Sequence, residues 1–434
     1  MQVAAWQSEK RKLRNEANLG LRICRQRRTA MRPCLGAPIR AKHKPLMAIL
    51  FLIVFIDLVG FGVVIPLLPY YALEYHATPF EVTTLMACYS FAQLFSSPFL
   101  GRLSDKVGRK PILLTSLSVS VMSYLWLGFA DALWMLFAAR LLAGAGAGNI
   151  ASAQAYISDV TEPEKRAKGM GLIGAAFGLG FTFGPVLGGV LAGTHPNAGD
   201  LARPAFVAAA LSAIALCLTA IRLKESLAPE LRGRAERTGR IELAKDAWAR
   251  PDLRHLILLF FLTTTAFAGL ESTFAIWANS KFSWGPQQVG LMFFYVGLVL
   301  ALIQGGLIGR MSHRFGEARL VMIGAVLLTL GLASLPLSSR LAIILIVMAV
   351  LSVGLGLLSP SITSLVSRAA AATERGGILG VNQSAQSLAR IIGPLIAGLV
   401  YTAGGRAAPY YVGALIMLAV VAMAVRLPRG EKLA

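Results

Sequence analysis

Twelve apolar runs, each long enough to cross a lipid bilayer, constrain this chain more than any other feature. They fall near 46–70, 81–100, 111–130, 132–155, 168–193, 204–222, 254–277, 286–308, 318–337, 341–366, 376–402 and 409–427. About 20 residues at 1.5 Å per residue span the roughly 30 Å of hydrocarbon. Inside lipid every backbone polar group must be satisfied within the segment, and runs of this length exclude barrel strands, so each predicts a helix. Composition agrees: 56% of the 434 residues are hydrophobic and 15% charged, against about 25% charged in soluble domains. The sequence therefore predicts an all-α membrane protein with twelve transmembrane helices.

The basic residues set the expected orientation. Of 42 Lys and Arg, 36 lie in the first 45 residues, the final segment and alternate loops between the runs. The other loops hold only Arg203, Lys281, Arg340 and Arg406, while Arg140 and Arg390 lie within runs. Both termini are expected in the cytoplasm, and the chain as a multi-pass protein of the inner (cytoplasmic) membrane. The net charge of +21 is thereby a feature of tails and turns rather than of nucleic-acid binding.

Residues 1–45 are basic and lack the apolar core of a signal peptide. A flexible cytoplasmic tail, an upstream start with the first true residue at Met31 or Met47, and a surface-binding arm all fit them. The expected organisation is that tail, an N-terminal six-helix bundle over 46–222, a cytoplasmic loop over 223–253 with a helical stretch from Glu242 to Trp248, a C-terminal bundle over 254–427, and a short tail over 428–434.

The two halves repeat one pattern. Gly101-Arg102-Leu103-Ser104-Asp105-Lys106-Val107-Gly108-Arg109-Lys110-Pro111 returns 208 positions later as Gly309-Arg310-Met311-Ser312-His313-Arg314-Phe315-Gly316. Gly184-Pro185 returns as Gly393-Pro394, and Glu164-Lys165-Arg166 as Thr373-Glu374-Arg375, at an offset of 209. Parallel six-helix repeats are a transporter architecture with the substrate site between the halves near the midplane.

Four motifs carry a resemblance to a known family. They are Asp57-Leu58-Val59-Gly60-Phe61-Gly62 followed by Pro66 and Pro69; residues 101–111; Arg140-x-x-x-Gly144-x-Gly146; and Gly171-x8-Gly180-x3-Gly184-Pro185-x2-Gly188-Gly189. With these the chain resembles the major facilitator superfamily from about residue 46 onward. Within it the likeness is greatest to the twelve-helix drug:proton antiporters, the branch containing the tetracycline exporters. The resemblance implies the major facilitator fold, export by alternating access, and a proton-transfer role for Arg140. It also implies that Gly171, Gly180, Gly184, Pro185, Gly188 and Gly189 belong to the helix motif of antiporters.

The residues themselves suggest roles. Asp57 lies roughly 16 Å into the first run at 1.5 Å per residue, where a carboxylate is expensive and by default functional. Arg140 has similar depth, and pairing of the two, direct or through water, is the least costly arrangement. Glu271 and Arg390 are a comparable pair in the second half. These four are the candidate proton-coupling groups. Structural roles compete: a hydrogen bond capping a kinked backbone for Asp57, and a fixed salt bridge for Arg140. No acid occurs in the eighth to tenth runs, unlike the pattern expected of tetracycline exporters.

Gly101, Arg102, Asp105, Gly108 and Arg109 are the candidate conformational switch: the second run ends at Gly101, and Asp105 accepts hydrogen bonds from Arg102, Arg109 and the start of the next helix. Positive charge as a topological anchor is the plainer reading. His313 replaces the acid in the second copy and predicts a weaker latch. Gln93, Asn149, Gln154, Gln304, Asn382, Gln383 and Gln386 are candidate cavity residues, with Gln383, Gln386 and Arg390 forming one stripe; interhelical hydrogen bonding is the alternative. Tyr89, Phe267, Phe274, Phe293 and Tyr295 are candidate contacts for a flat apolar body.

The expected function is export of a drug-like amphipathic compound, tetracycline-like or multidrug, in exchange for protons. The expected partners are that small molecule, protons and the lipid bilayer, with no nucleic acid, no cofactor and a monomeric state. A rival is a same-fold carrier of a sugar or organic acid, in which the two arginines bind an anionic substrate. A non-transporting sensor should carry a soluble domain. An enzyme should carry a metal cluster or activated nucleophile, and His43, His76, His195, His255 and His313 are scattered, with Cys24, Cys34, Cys88 and Cys217 at no metal spacing.

Overall fold

The computed structural model describes residues 43–161, 166–227, 240–371 and 374–427. Residues 1–42 of the expected N-terminal tail, the tail 428–434, the repeat residues Glu164, Lys165 and Thr373, and residues 228–239 of the loop 223–253 lie outside the described residues.

Among the described residues the chain makes twelve helical traverses. They are α1 (His43–Val64, continued by Leu68–Glu74), α2 (Pro79–Val107), α3 (Arg109–Gly128), α4 (Leu133–Ala145 and Asn149–Val160), α5 (Arg166–Ala192) and α6 (Ala198–Arg222). After a linker helix (Arg240–Ala249) follow α7 (Pro251–Phe282), α8 (Pro286–Leu302, extended by Ile303–Leu307 and Ile308–Phe315), α9 (Glu317–Ser334), α10 (Leu341–Ala369), α11 (Arg375–Gly404) and α12 (Ala408–Ala424). Among the described residues nine helices are long and apolar enough to cross a membrane by length and composition. The other three traverses have local causes: α2 carries several charges in its last turns, α4 is broken by glycines, and α12 has 17 residues.

Several boundaries differ from the sequence expectation. The first run divides at Ile65–Leu67 because Pro66 lacks a backbone N–H and excludes a continuous helix. The second run continues past Gly101 to Val107; the turn belongs to Gly108 alone, whose φ of +121° suits glycine. Its polar residues Arg102, Ser104 and Asp105 remain helical beyond the apolar stretch. The eighth run contains a π-helical turn at Ile303–Leu307, around Gly305-Gly306. Pro185 lies inside the helix α5.

The loop 101–111 and its repeat define one face of the molecule, here the basic-loop face. Glycines set how the helices meet across the molecule. On α5, a Cβ at Gly180, Gly184 or Gly188 would stand 2.7, 2.6 or 2.1 Å from atoms of α1, so these positions admit only glycine at this separation. Toward the face opposite the basic loops, α5 and α8 are zipped together. A Cβ at Gly290 would lie 2.4 Å from the Pro185 carbonyl oxygen, and one at Gly297 would lie 2.5 Å from Thr182 Oγ1. Gln287 N donates to Gly193 O at 3.2 Å and Thr194 Oγ1 to Gln287 Oε1 at 2.6 Å. Gly398 of α11 meets Thr83 of α2 equally tightly.

The same seam opens toward the basic-loop face. Gly171, Gly174 and Gly178 of α5, and Gly305, Gly306 and Gly309 of α8, have no atom within 4 Å of an added Cβ. The two helices touch along one half of their length and diverge along the other. Gly171, the first glycine of the α5 motif, is therefore outside the close packing in this conformation.

Candidate functional site

The centre of the N-terminal half is built by glycines in α4. A Cβ at Gly144 would stand 2.3 Å from the Tyr89 carbonyl oxygen, and one at Gly146 would stand 2.6 Å from Val119 Cγ1. Helix α4 thus presses its backbone between α2 and α3, and Ser96 Oγ donates to Gly144 O at 2.7 Å. One turn before Gly144, Arg140 is carried over Tyr89, with Cζ 4.7 Å from the ring centroid and 5.6 Å from that of Phe61. Phe61 and Tyr89 pack on each other at 4.8 Å.

The break in α4 at Gly146–Gly148 has a second consequence. It makes Asn149 the first residue of a new helical segment, and from there its amide Nδ2 donates to Asp57 Oδ2. Asp57 and Arg140, expected to interact directly or through water, form no direct ion pair among the described residues. The carboxylate is held across the break by Asn149, while the guanidinium one helical piece earlier lies against aromatic faces. Both are buried, Asp57 7% and Arg140 4% exposed. Among the described residues Arg140 makes no hydrogen bond or ion pair, and its Nε is buried without a partner. Cation–π contact with two rings partly offsets this, worth about 2 kcal/mol when desolvated.

In the second half, Gly269 of α7 packs against Gly393 and Ala397 of α11, and a Cβ at Gly393 would lie 2.4 Å from Thr265 O. This close crossing sets Glu271 and Arg390 near enough for electrostatic interaction, without an ion pair within 4.0 Å among the described residues. Glu271 instead borders a small apolar cavity with Phe267, Phe274, Phe293, Met348 and Ser352. Arg390 also lies within electrostatic reach of Tyr89. Tyr89 is thus the residue on which Asp57, Arg140 and Arg390 converge.

The cavity candidates divide. Asn149 binds Asp57, and Asn382 is buried with Oδ1 unpartnered. Gln93 and Gln386 are half-buried, whereas Gln154, Gln304 and Gln383 are exposed. The helix 11 stripe therefore runs from exposed Gln383 to half-buried Arg390 rather than along one uniform surface.

At the basic-loop face Arg109 is the hub. Its guanidinium donates to Asp105 at 2.5 Å, to Ser104 at 3.1 Å and to Asp159, at the end of α4, at 3.0 Å. Glu225, just beyond α6, accepts from the backbone N–H groups of Arg109 at 2.9 Å and Lys110 at 3.1 Å, capping α3. A Cβ at Gly108 would lie 2.4 Å from Glu225 Oε2. Arg102, expected within this network, is exposed, with no side-chain partner among the described residues.

Two acids of the latch, Asp159 and Glu225, escape sequence reading because they lie 50 and 116 positions from Arg109. The second latch is also unlike its expectation. Glu317, 208 positions after Arg109, accepts from Ser364 at 2.5 Å and pairs with Arg368 at 3.4 Å, and Arg368 follows Asp159 by 209. The link between helix start and neighbouring helix end is present in both halves with its charges exchanged, and a comparison by residue identity cannot detect it.

A third ion-pair cluster ties the linker helix to the C-terminal half. Arg250 donates to Asp246 at 2.7 Å and to both carboxylate oxygens of Glu374, 2.9 Å for Oε2. That pairing, helped by the Ala371 N–H, holds the Glu374 carboxyl below its usual range and raises the Arg250 guanidinium.

The sequence profile of the Major Facilitator Superfamily matches residues 50–308 and 256–433. The class C tetracycline resistance protein of Escherichia coli is 32% identical over 80% of this chain and 87% of its own length. Multidrug resistance protein 2 of Bacillus subtilis (strain 168) is 28% identical over 83% of this chain and 90% of its own. The crystal structure of the human organic anion transporter TETRAN superposes with a TM-score of 0.68 and 26% identity, covering 89% of this chain and all of that one. The chain belongs to the major facilitator superfamily.

Proposed function

We propose that this member of the superfamily is a secondary exporter. It moves a drug-like amphipathic compound out of the cell in exchange for protons, by alternating access between bundles 46–222 and 254–427. The segment 223–253 links them, and both termini are cytoplasmic in the inner membrane. It works as a monomer in lipid, without catalysing a covalent reaction.

One observation carries the reading: Asp57 is a carboxylate buried in a membrane-spanning helix, held by an amide, with a guanidinium of the same half left unpaired. A buried carboxylate without a cationic partner gains by binding a proton, and a move toward Arg140 favours releasing it. Glu271 is the second proton site, with Arg390 as its electrostatic partner. The divergent α5–α8 seam supports a conformation closed at one face, and the Arg109 network holds α2, α3, α4 and α6 together as one body while the bundles rock.

Relatives named for tetracycline and multidrug resistance support a drug as cargo. Since another similar protein is named for organic anions, the charge of the cargo has to be read from the site's own residues.

Expression in a host stripped of its own pumps tests the proposal, with susceptibility and pH-gradient-driven efflux measured for tetracyclines, quinolones and cationic dyes. Raised resistance and efflux that collapses with the pH gradient are expected. No shift for any compound overturns drug export.

A further inference from the structure

A buried arginine and a half-buried one, from opposite halves, come near one tyrosine, and neither has a hydrogen-bonding partner among the described residues. Arg140 of α4 lies over Tyr89 at 4.7 Å, and Arg390 of α11 is within electrostatic reach of the same side chain. The nearby acids do not neutralise them by contact, because Asp57 is engaged by Asn149 and Glu271 lies beyond 4.0 Å of Arg390 in an apolar cavity. A guanidinium sequestered from water without hydrogen-bond acceptors is costly. A planar, delocalised anion is the ligand that guanidinium geometry accepts best. Tyr89, Phe61 and Phe181 form a continuous aromatic group beside the site, with Phe61 5.7 Å from Phe181.

We propose that Arg140 and Arg390, one from each half and both near Tyr89, clamp the anionic group of the transported compound, whose flat apolar body lies against Phe61 and Phe181. This rests on the exporter reading and narrows its cargo to amphipathic aromatic anions, carboxylates or enolates, in preference to lipophilic cations. Because one arginine comes from each half, a bound anion also draws the halves together at the centre.

Equilibrium dialysis on the purified full-length protein tests the clamp without requiring transport. The probes are radiolabelled naphthalene-2-carboxylate, its carboxamide and 2-naphthylmethylammonium, which share one ring system and differ in charge. The carboxylate is expected to bind at least tenfold more tightly than either analogue. Arg390→Gln should reduce its affinity at least tenfold, and Arg390→Lys should restore part of it. Arg140→Gln should act likewise if it folds, and if it does not, the two Arg390 variants decide. Equal or tighter binding of the ammonium or carboxamide, or unchanged carboxylate affinity in a monodisperse Arg390→Gln protein, overturns the clamp. The two readings fail separately. Proton-driven efflux of cationic dyes with no anion preference removes the clamp and leaves the exporter, whereas selective carboxylate binding with no proton-driven flux of any compound removes the exporter.

Discussion

Arg109, the first residue of α3, donates to Asp159 near the end of α4 at 3.0 Å, and in the second half Glu317 and Arg368 occupy the matching places with their charges exchanged. The two pairs differ in setting. The Arg109 side chain is 9% exposed and backed by Asp105, while the Arg368 side chain is 64% exposed and 3.4 Å from its partner.

That difference predicts unequal energies. Asp159→Asn removes a charge-assisted bond to a nearly buried guanidinium and should cost about 2 kcal/mol. Arg368→Gln removes a solvent-screened pair and should cost under about 1 kcal/mol. Thermal unfolding in detergent should rank the two in that order. A larger loss for Arg368→Gln would contradict the assignment of Arg109 as the principal latch.

The glycines of α5 predict a position-dependent tolerance. Gly188→Ala forces a Cβ to within 2.1 Å of Val63 O, whereas Gly171→Ala meets nothing within 4 Å. The first should destabilise by about 1–3 kcal/mol through overpacking. The second should be neutral or raise stability by up to about 1 kcal/mol, through helix propensity. Melting temperatures of the two variants check this.

The Arg250–Glu374 clasp predicts a pH dependence. The folded state lowers the Glu374 carboxyl, so its contribution is fully present above the carboxyl's unfolded range and disappears as pH falls through the lower folded value. Wild type and Glu374→Gln should differ in melting temperature at pH 7 and converge only in acid, once pH has fallen through the lowered folded value. A constant difference down to strong acid would show that Glu374 acts by packing alone.

The architecture was legible because hydrocarbon imposes it: runs near 20 residues and alternation of basic loops follow from solvent, with no need to know the neighbours. The Gly144 and Gly188 positions were legible as motif letters, but their partners were not, since a close approach joins residues distant in sequence. The Asn149 partner of Asp57 was missed for a related reason. Depth along two helices suggested that Asp57 and Arg140 interact directly or through water, and the break at Gly146–Gly148, which brings Asn149 to Asp57, looks in sequence like ordinary small-residue packing. The Glu317–Arg368 link was hidden by its exchanged charges.

The Asn149 hydrogen bond predicts a proton-affinity effect without loss of fold. Asn149→Ala should remove the amide donor that holds the Asp57 carboxylate and so change the pH profile of transport. An unchanged pH profile in a folded variant would assign Asn149 a purely structural part.

The central claim is that Asp57 carries the coupled proton. Its most direct measurement is transport in proteoliposomes, with an imposed pH gradient and, separately, by counterflow at equal pH, comparing wild type with Asp57→Asn. The account predicts that Asp57→Asn abolishes gradient-driven accumulation and retains counterflow, because the cargo still binds and the bundles still exchange. Gradient-driven accumulation at the wild-type level in Asp57→Asn, alone and together with Glu271→Gln, would contradict it.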